Sequence, residues 1–395
     1  MIPLSRRGLF PFLAGAATLA HSAVRAALPG KGKRVAVVGG GILGASIAYH
    51  LARDGAEVAV LEKTKPAAEA TGNSFAWLNA GGKRSRPYHT LSLLGIMGWH
   101  RLQTEIGHET LLMQWNGCVQ WRMGEGTVER TAESIAAQQA WGYPVQEISP
   151  EQLLALMPGL TPGEVGIASF SGVEGTVNPR VATHVLLAEA QRLGAVVEFP
   201  VSVTGFETTS GSGGGTVRFV RTSQGALEVD AVVLAAGLGN TALSAMLGAN
   251  VPIDSSVGLL AHTEPGANIL PRLAFGPGAN MKQPPDGSFV TGASFAGTPD
   301  MVADRATGEM LLAGARQYVP ALADFKLDEV TLGHRVLPAD AFPIVGHLPG
   351  SANAYVVAMH SGMTMAPLIG ELVATEVLGG PKADLLATFR PERFA

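Results

Sequence analysis

Residues 34–62 read R-V-A-V-V-G-G-G-I-L-G-A-S-I-A-Y-H-L-A-R-D-G-A-E-V-A-V-L-E. The order is strand, glycine turn, helix, strand. Val35–Val38 is the short apolar run of a buried parallel strand. Gly39, Gly41 and Gly44 match G-x-G-x-x-G, and Ile42–Arg53 reads as a helix closed by Gly55. Gly39 permits the tight turn, and Gly41 allows backbone to approach a pyrophosphate. Gly44 lets the helix lie close on the sheet. With Gly40, Ile42 and Leu43 these residues form a turn whose N–H groups and helix dipole face phosphates. Glu62 ends the second strand where a carboxylate accepts hydrogen bonds from a ribose. Its charge would repel a 2′-phosphate, so FAD or NAD fits better than NADP.

The chain has 395 residues, 47% of them hydrophobic and 15% charged. That is enough for two domains or one composite unit with a large core. The net charge of −4 gives no basic footprint for nucleic acid. Cys118 is the single cysteine, which excludes an internal disulfide, a CxxC redox pair and a cysteine-rich zinc site. The ten histidines lack metal-ligand spacing, so no metal is expected.

Residues 1–26 read as an export signal. Ser5-Arg6-Arg7-Gly8-Leu9-Phe10 is similar to the twin-arginine motif, an apolar stretch follows to Val24, and Ala26 closes a cleavage site. The alternative, a membrane anchor, is disfavoured by a short stretch containing His21. Loss of Arg6, Arg7 and Arg25 takes the charge from −4 to −7. This route carries folded proteins, so the expected destination is the periplasm, with no stable membrane span after cleavage.

Further on, Ala70–Gly82 is either a loop turned towards a ligand or a plain connector. Helices are expected over 91–106, 127–140 and 180–193, a strand pair around Gly117 within 111–123, and a loose hairpin tip over 210–215. The strand 229–237 ends in small residues. Thr364 reads as the cap of a last helix, with Pro367 in its first turn.

Together these pieces resemble the FAD-dependent D-amino-acid oxidase/glycine oxidase family. The glycine turn with Glu62, T-G-N-S-F-A-W-L-N-A-G at 71–81, G-T-V-N-P at 175–179 and Ala235-Ala236-Gly237 carry the likeness. So do Gly333-His334-Arg335, with valine at 336 where many members have proline, D-A-F-P-I-V-G at 340–346 and H-S-G-M-T-M-A-P at 360–367. The resemblance implies an α/β fold with a discontinuous Rossmann-like FAD-binding domain (27–90, 175–250, 328–395). A second, α+β substrate domain (91–174, 251–327) would stand on a mixed or antiparallel sheet. It also implies FAD, held noncovalently, touching Lys63, Thr71, Asn73, Ser74, Val203, Ala236, Gly237, Gly362, Met363 and Thr364 beside the glycine turn and Glu62. Backbone donors at 362–364 would stabilise charge on the reduced flavin.

Arg335 would grip a substrate carboxylate through two hydrogen bonds. His360 either faces the flavin or is bonded in the core. Arg84, Arg86, Lys282 and Tyr318 are second-rank candidates. The implied reaction is oxidation of an amine or amino acid by hydride transfer to flavin N5, giving an imine that hydrolyses, with oxygen or a respiratory carrier as electron acceptor. An NAD-dependent dehydrogenase or a noncatalytic exported flavin-binding protein are the alternatives.

Overall fold

Val35 and Val37 face one hydrophobic core while Ala36 and Val38 face another. A strand buried on both sides must sit inside a sheet covered twice. In the computed structural model, which describes residues 32–107, 109–210, 214–293 and 302–395, Arg34–Val38 is the third or fourth strand of six, counted from either edge. The order across this sheet is Ile344–His347, Ala354–Ala358, Ala231–Leu234, Arg34–Val38, Glu57–Leu61 and Val196–Glu198. All neighbours run parallel except the antiparallel edge strand Ile344–His347.

One face is covered by the helices Ile42–Arg53, Arg86–Ile106, Pro179–Arg192 and Gly362–Val377. The other is covered by a three-stranded antiparallel sheet, Val203–Thr209, Thr216–Thr222 and Gly225–Glu228, which contributes Val217 and Val220. The export signal expected over residues 1–26 lies outside the described residues, as do residues 211–213 of the expected hairpin tip. No helix among the described residues is long and apolar enough to cross a membrane.

An eight-stranded mixed sheet forms the second unit. Its order is Leu327–Pro338, Ile253–Thr263, Val290–Gly292, Ala279–Lys282, Leu273–Gly276, Cys118–Arg122, Ile167–Ser171 and Val145–Ile148. Helix Arg305–Arg316 packs on its back through Leu311, Leu312 and Ala315. Two expectations need correcting. The division at 328 puts Leu327–Pro338 with the nucleotide-binding part, but its ladder runs along Ile253–Thr263, from Pro338 opposite Ile253 to Leu327 opposite Thr263. The stretch 111–123 is no hairpin. Met113–Gln114 joins a small sheet with Trp77–Leu78 and Gly175–Val177, while Cys118–Arg122 joins the large one. Gly117, at φ +77°, turns the chain between the two sheets.

Two glycine contacts set how close the helices come. A Cβ on Gly44 would strike the carbonyl oxygen of Gly39, and one on Gly95 would lie 2.5 Å from the carbonyl oxygen of Thr364. At the C-terminus, Arg390 grips the buried Glu376 through two hydrogen bonds of 2.7 and 2.8 Å, fixing the last residues against the helix Gly362–Val377.

Candidate active site

A cleft of about 1330 Å³ opens where the parallel sheet meets the face of the eight-stranded sheet. That exceeds the ~300–1,000 Å³ usual for one small ligand, and gives room for a dinucleotide and a second molecule. Gly39 lines it at φ +113°, where a Cβ would lie 2.5 Å from the carbonyl oxygen of Ala235. The two strand-to-helix turns therefore touch.

Gly41 differs. Its φ of −79° suits any residue, and a Cβ there would meet only Thr71 Oγ1, at 3.1 Å. The fold itself does not demand glycine at 41; space for a close-lying ligand does. Thr71 Oγ1 accepts from Ile42 N–H at 3.1 Å, and the rest of this first helical turn supplies N–H groups without intrahelical acceptors. Glu62 accepts from Gly40 N–H and Thr64 N–H, each at 2.8 Å, and its carboxylate faces the cleft with lone pairs to spare. These residues fit an FAD: a cradle a side chain would fill, helix donors for phosphates and a ribose acceptor at the strand end.

Lys63, Asn73, Ser74, Val203, Ala236 and Gly237 also line the cleft. Lys63 is exposed and pairs with Glu69 at 3.6 Å. Asn73 packs on the second sheet, since a Cβ on Gly333 would lie 2.9 Å from its own.

The opposite wall comes from the chain's end. A Cβ on Gly362 would meet Leu43 at 3.2 Å, so the glycine turn and the last helix share one rim, joined there by Met363 and Thr364. Here the expectation for Thr364 fails. The helix begins at Gly362, with Ser361 before it and no side-chain cap. Thr364 lies inside, its hydroxyl accepting from Asn79 N–H at 3.3 Å and donating to the carbonyl of Trp77 at 3.4 Å. Pro367 is an interior residue, not a first-turn one. Its missing N–H leaves the carbonyl of Met363 without a helical donor, and Trp99 Nε1 supplies one at 2.8 Å.

Arg335 and His360 line the same cleft. Arg335 Nη1 donates to the carbonyl of Val257 at 2.6 Å and to Ser256 Oγ at 3.2 Å, which anchors the guanidinium on the neighbouring strand. Burial pushes His360 down to about 4, helped by Lys83 and Arg335, so its imidazole is neutral at neutral pH. Of the second-rank candidates, Arg84 and Arg86 are exposed, and Tyr318 does not itself line the cleft but donates at 2.9 Å to the carbonyl of Pro277, which does. Lys282 lines a separate small cavity. Cys118 is buried and does not line the cleft.

The sequence reading missed a polar cluster. Lys83 Nζ donates to Ser361 Oγ at 3.1 Å, and Tyr88 OH donates to the same oxygen at 2.9 Å. Glu174, 1% exposed, accepts from Trp77 Nε1 and from Tyr143 OH, both at 2.6 Å. Burial raises Glu174 to about 7 against these donors and nearby Lys83, and burial lowers Lys83 to about 8 against the pull of Glu174. Both line the cleft. Lys83 sits in a polar run between Gly82 and Arg84, and nothing local marks it as different from its solvated neighbours.

The family model for FAD dependent oxidoreductases matches residues 34–376, nearly all of the described chain. The chain belongs to this family. It is an FAD-dependent oxidoreductase, and nothing favours a nicotinamide enzyme. An opine oxidase component from Agrobacterium tumefaciens (strain Ach5) is 29% identical over 91% of this chain and 96% of its own. Glycine oxidase of Bacillus licheniformis is 25% identical over 90% of this chain and 96% of its own. Among solved structures, glycine oxidase from Geobacillus kaustophilus superposes with a TM-score of 0.81 at 25% identity, covering 91% of this chain and 98% of that one. In this oxidoreductase Gly39, Gly41, Ile42, Leu43, Glu62 and Gly362–Thr364 line one cleft, while Gly40 and Gly44 do not. Among the described residues no group of three potential ligands could hold a metal ion.

Proposed function

We propose that this oxidoreductase oxidises an amine or amino acid that carries a carboxylate, and that it works outside the cytoplasm after export by the twin-arginine route. One observation carries the substrate class. Arg335, anchored by Val257 and Ser256, shares a cleft with the glycine turn and the Gly362 helix start. A planar guanidinium in such a site suits a carboxylate. The names of relatives support it, since glycine oxidase and 4-methylaminobutanoate oxidase act on amino carboxylates.

Bound FAD supplies the two-electron acceptor. The chain's residues do the rest. Arg335 fixes the carboxylate and so the carbon bearing nitrogen. Neutral His360 adds no competing cation, and the half-buried Lys83 holds a proton next to Ser361. The substrate amine must be neutral to give up hydride, and a desolvated cleft favours that form. The imine product then hydrolyses in water. Noncovalent attachment of FAD is consistent with Cys118 lying off the cleft. The export reading rests on the arginine pair Arg6-Arg7 with the apolar run after it.

The test is anaerobic bleaching of the yellow protein by a panel of amines and amino acids, with and without the carboxylate. Bleaching by amino carboxylates, and much weaker bleaching by their decarboxylated analogues, is expected. Equal rates for both sets would remove the carboxylate requirement. Absence of bleaching with any amine would return the noncatalytic reading.

A further inference from the structure

Lys282 is a buried cation with too little around it. Only 5% of the residue is exposed, and its ammonium donates one long hydrogen bond, 3.3 Å, to Thr176 Oγ1. The Thr176 hydroxyl is itself spent on the carbonyl of Ala76 at 3.0 Å. The ring of Phe75 lies 5.3 Å from Nζ. An ammonium has three donors, so two remain to be satisfied. Burying a charge without a counter-charge is expensive, and such groups pair, bind an ion or lose their proton.

A second cation lies on the same cavity. Arg272 donates through Nη1 to the carbonyl of Leu156 at 2.7 Å, yet its Nε is buried with no partner. The cavity that Lys282 and Arg272 line also presents Gln114, Asn116 and Gln283, and no aspartate or glutamate among its described lining residues. It holds space for about one water-sized species, about 10 Å³ for its centre. None of its lining residues lines the cofactor cleft. We propose that Lys282 and Arg272 form a binding site for one small inorganic anion, separate from the active site. A halide, the anion nearest to water in size, would supply an acceptor that these groups lack.

The surrounding charges agree. Burial lowers Lys282 to about 8, with Asp286 opposing the shift. His262, pushed down to about 4 mainly by burial, faces the same lysine as a neutral ring. Anion affinity therefore falls as pH rises above about 8, where Lys282 sheds its proton.

The experiment uses the holoenzyme. Crystals grown in bromide should show an anomalous peak within hydrogen-bond distance of Lys282 Nζ, and Lys282→Met should lose it. In solution, at constant ionic strength, each tenfold rise in bromide above its dissociation constant should raise the melting midpoint by a constant increment. That increment should vanish in Lys282→Met and shrink above pH 8. Phosphate, too large for the cavity, should give no such increment, and an equal response to it would overturn the assignment. A refined water at the site at every bromide concentration, or an equal salt response in the variant, would overturn the assignment. If the methionine variant fails to fold, the wild-type peak and its loss at high pH decide the matter.

Discussion

Trp99 donates its indole N–H to the carbonyl of Met363 at 2.8 Å, across 264 residues of chain. That carbonyl lacks a helical donor because Pro367 stands four residues on. A proline that would weaken the helix start is thus tolerated by a tryptophan on the neighbouring helix. Trp99→Phe keeps most of the packing and removes only the donor. An orphaned buried acceptor costs about 1–3 kcal/mol. Denaturant unfolding should show a lower midpoint with an unchanged slope, and FAD should dissociate faster. An unchanged midpoint would mean that water replaces the indole.

Gly41 and Gly44 separate fold from function. Gly44→Ala would drive a Cβ into the carbonyl oxygen of Gly39 and should give little folded protein. Gly41→Ala leaves an allowed backbone and one contact at 3.1 Å, so the apoprotein should fold. Its Cβ would then crowd a bound pyrophosphate. Overpacking of about 1–3 kcal/mol corresponds to a weakening of about 5–150-fold in FAD affinity. Fluorescence titration of apoprotein with FAD measures it, and wild-type affinity would show that the phosphates lie elsewhere.

Arg335→Ala should retain flavin colour, because the residue belongs to the eight-stranded sheet and not to the glycine turn. Loss of a charged hydrogen-bonding group worth about 1.5–3 kcal/mol should weaken binding of amino carboxylates by about 10–100-fold. Amines without the carboxylate should be little affected. Steady-state kinetics on both substrate sets, with flavin content measured alongside, tests the difference.

Glu174 should titrate inside the folded protein near pH 7, raised chiefly by burial. A carboxyl raised in the fold binds more protons there than when unfolded, so its contribution to stability is present below its ordinary range. That contribution is lost as pH rises towards 7. Trp77 donates directly to it and reports the change. Tryptophan emission should shift with a midpoint near 7 and lose that transition in Glu174→Gln, whose thermal stability should vary less between pH 4.5 and 7. A transition that persists in the variant would assign it to another group, with Lys83 the first candidate.

What the sequence made legible was whatever is decided locally. The strand, turn, helix and Glu62 fall within one short run, and each glycine there answers a steric demand of its near neighbours. Thr364 shows the opposite case. A threonine ahead of an apolar run, with proline three residues later, has the local form of a capped helix start. The actual start at Gly362 depends on Trp99 and Asn79 from distant segments. Lys83 and Glu174 were invisible for a similar reason. Their character comes from burial, which sequence position alone does not record. The strand Leu327–Pro338 mixes apolar and polar residues without a clean alternation, as at Asp328-Glu329 and Val336-Leu337, so nothing in it says which of two sheets it will join.

The parallel sheet places its first strand in the middle and draws a neighbour, Ala231–Leu234, from beyond the midpoint of the chain. The next strand out, Ala354–Ala358, and the helix after it arrive almost last. A ribosome must therefore release nearly the entire polypeptide before the pocket can close. Assembly dominated by such remote pairings is slow and leaves sticky intermediates in the meantime. Deleting the final few dozen residues would remove the strand Ala354–Ala358 and the helix Gly362–Val377 together, leaving the glycine turn on a sheet with an open seam and one wall of the pocket missing.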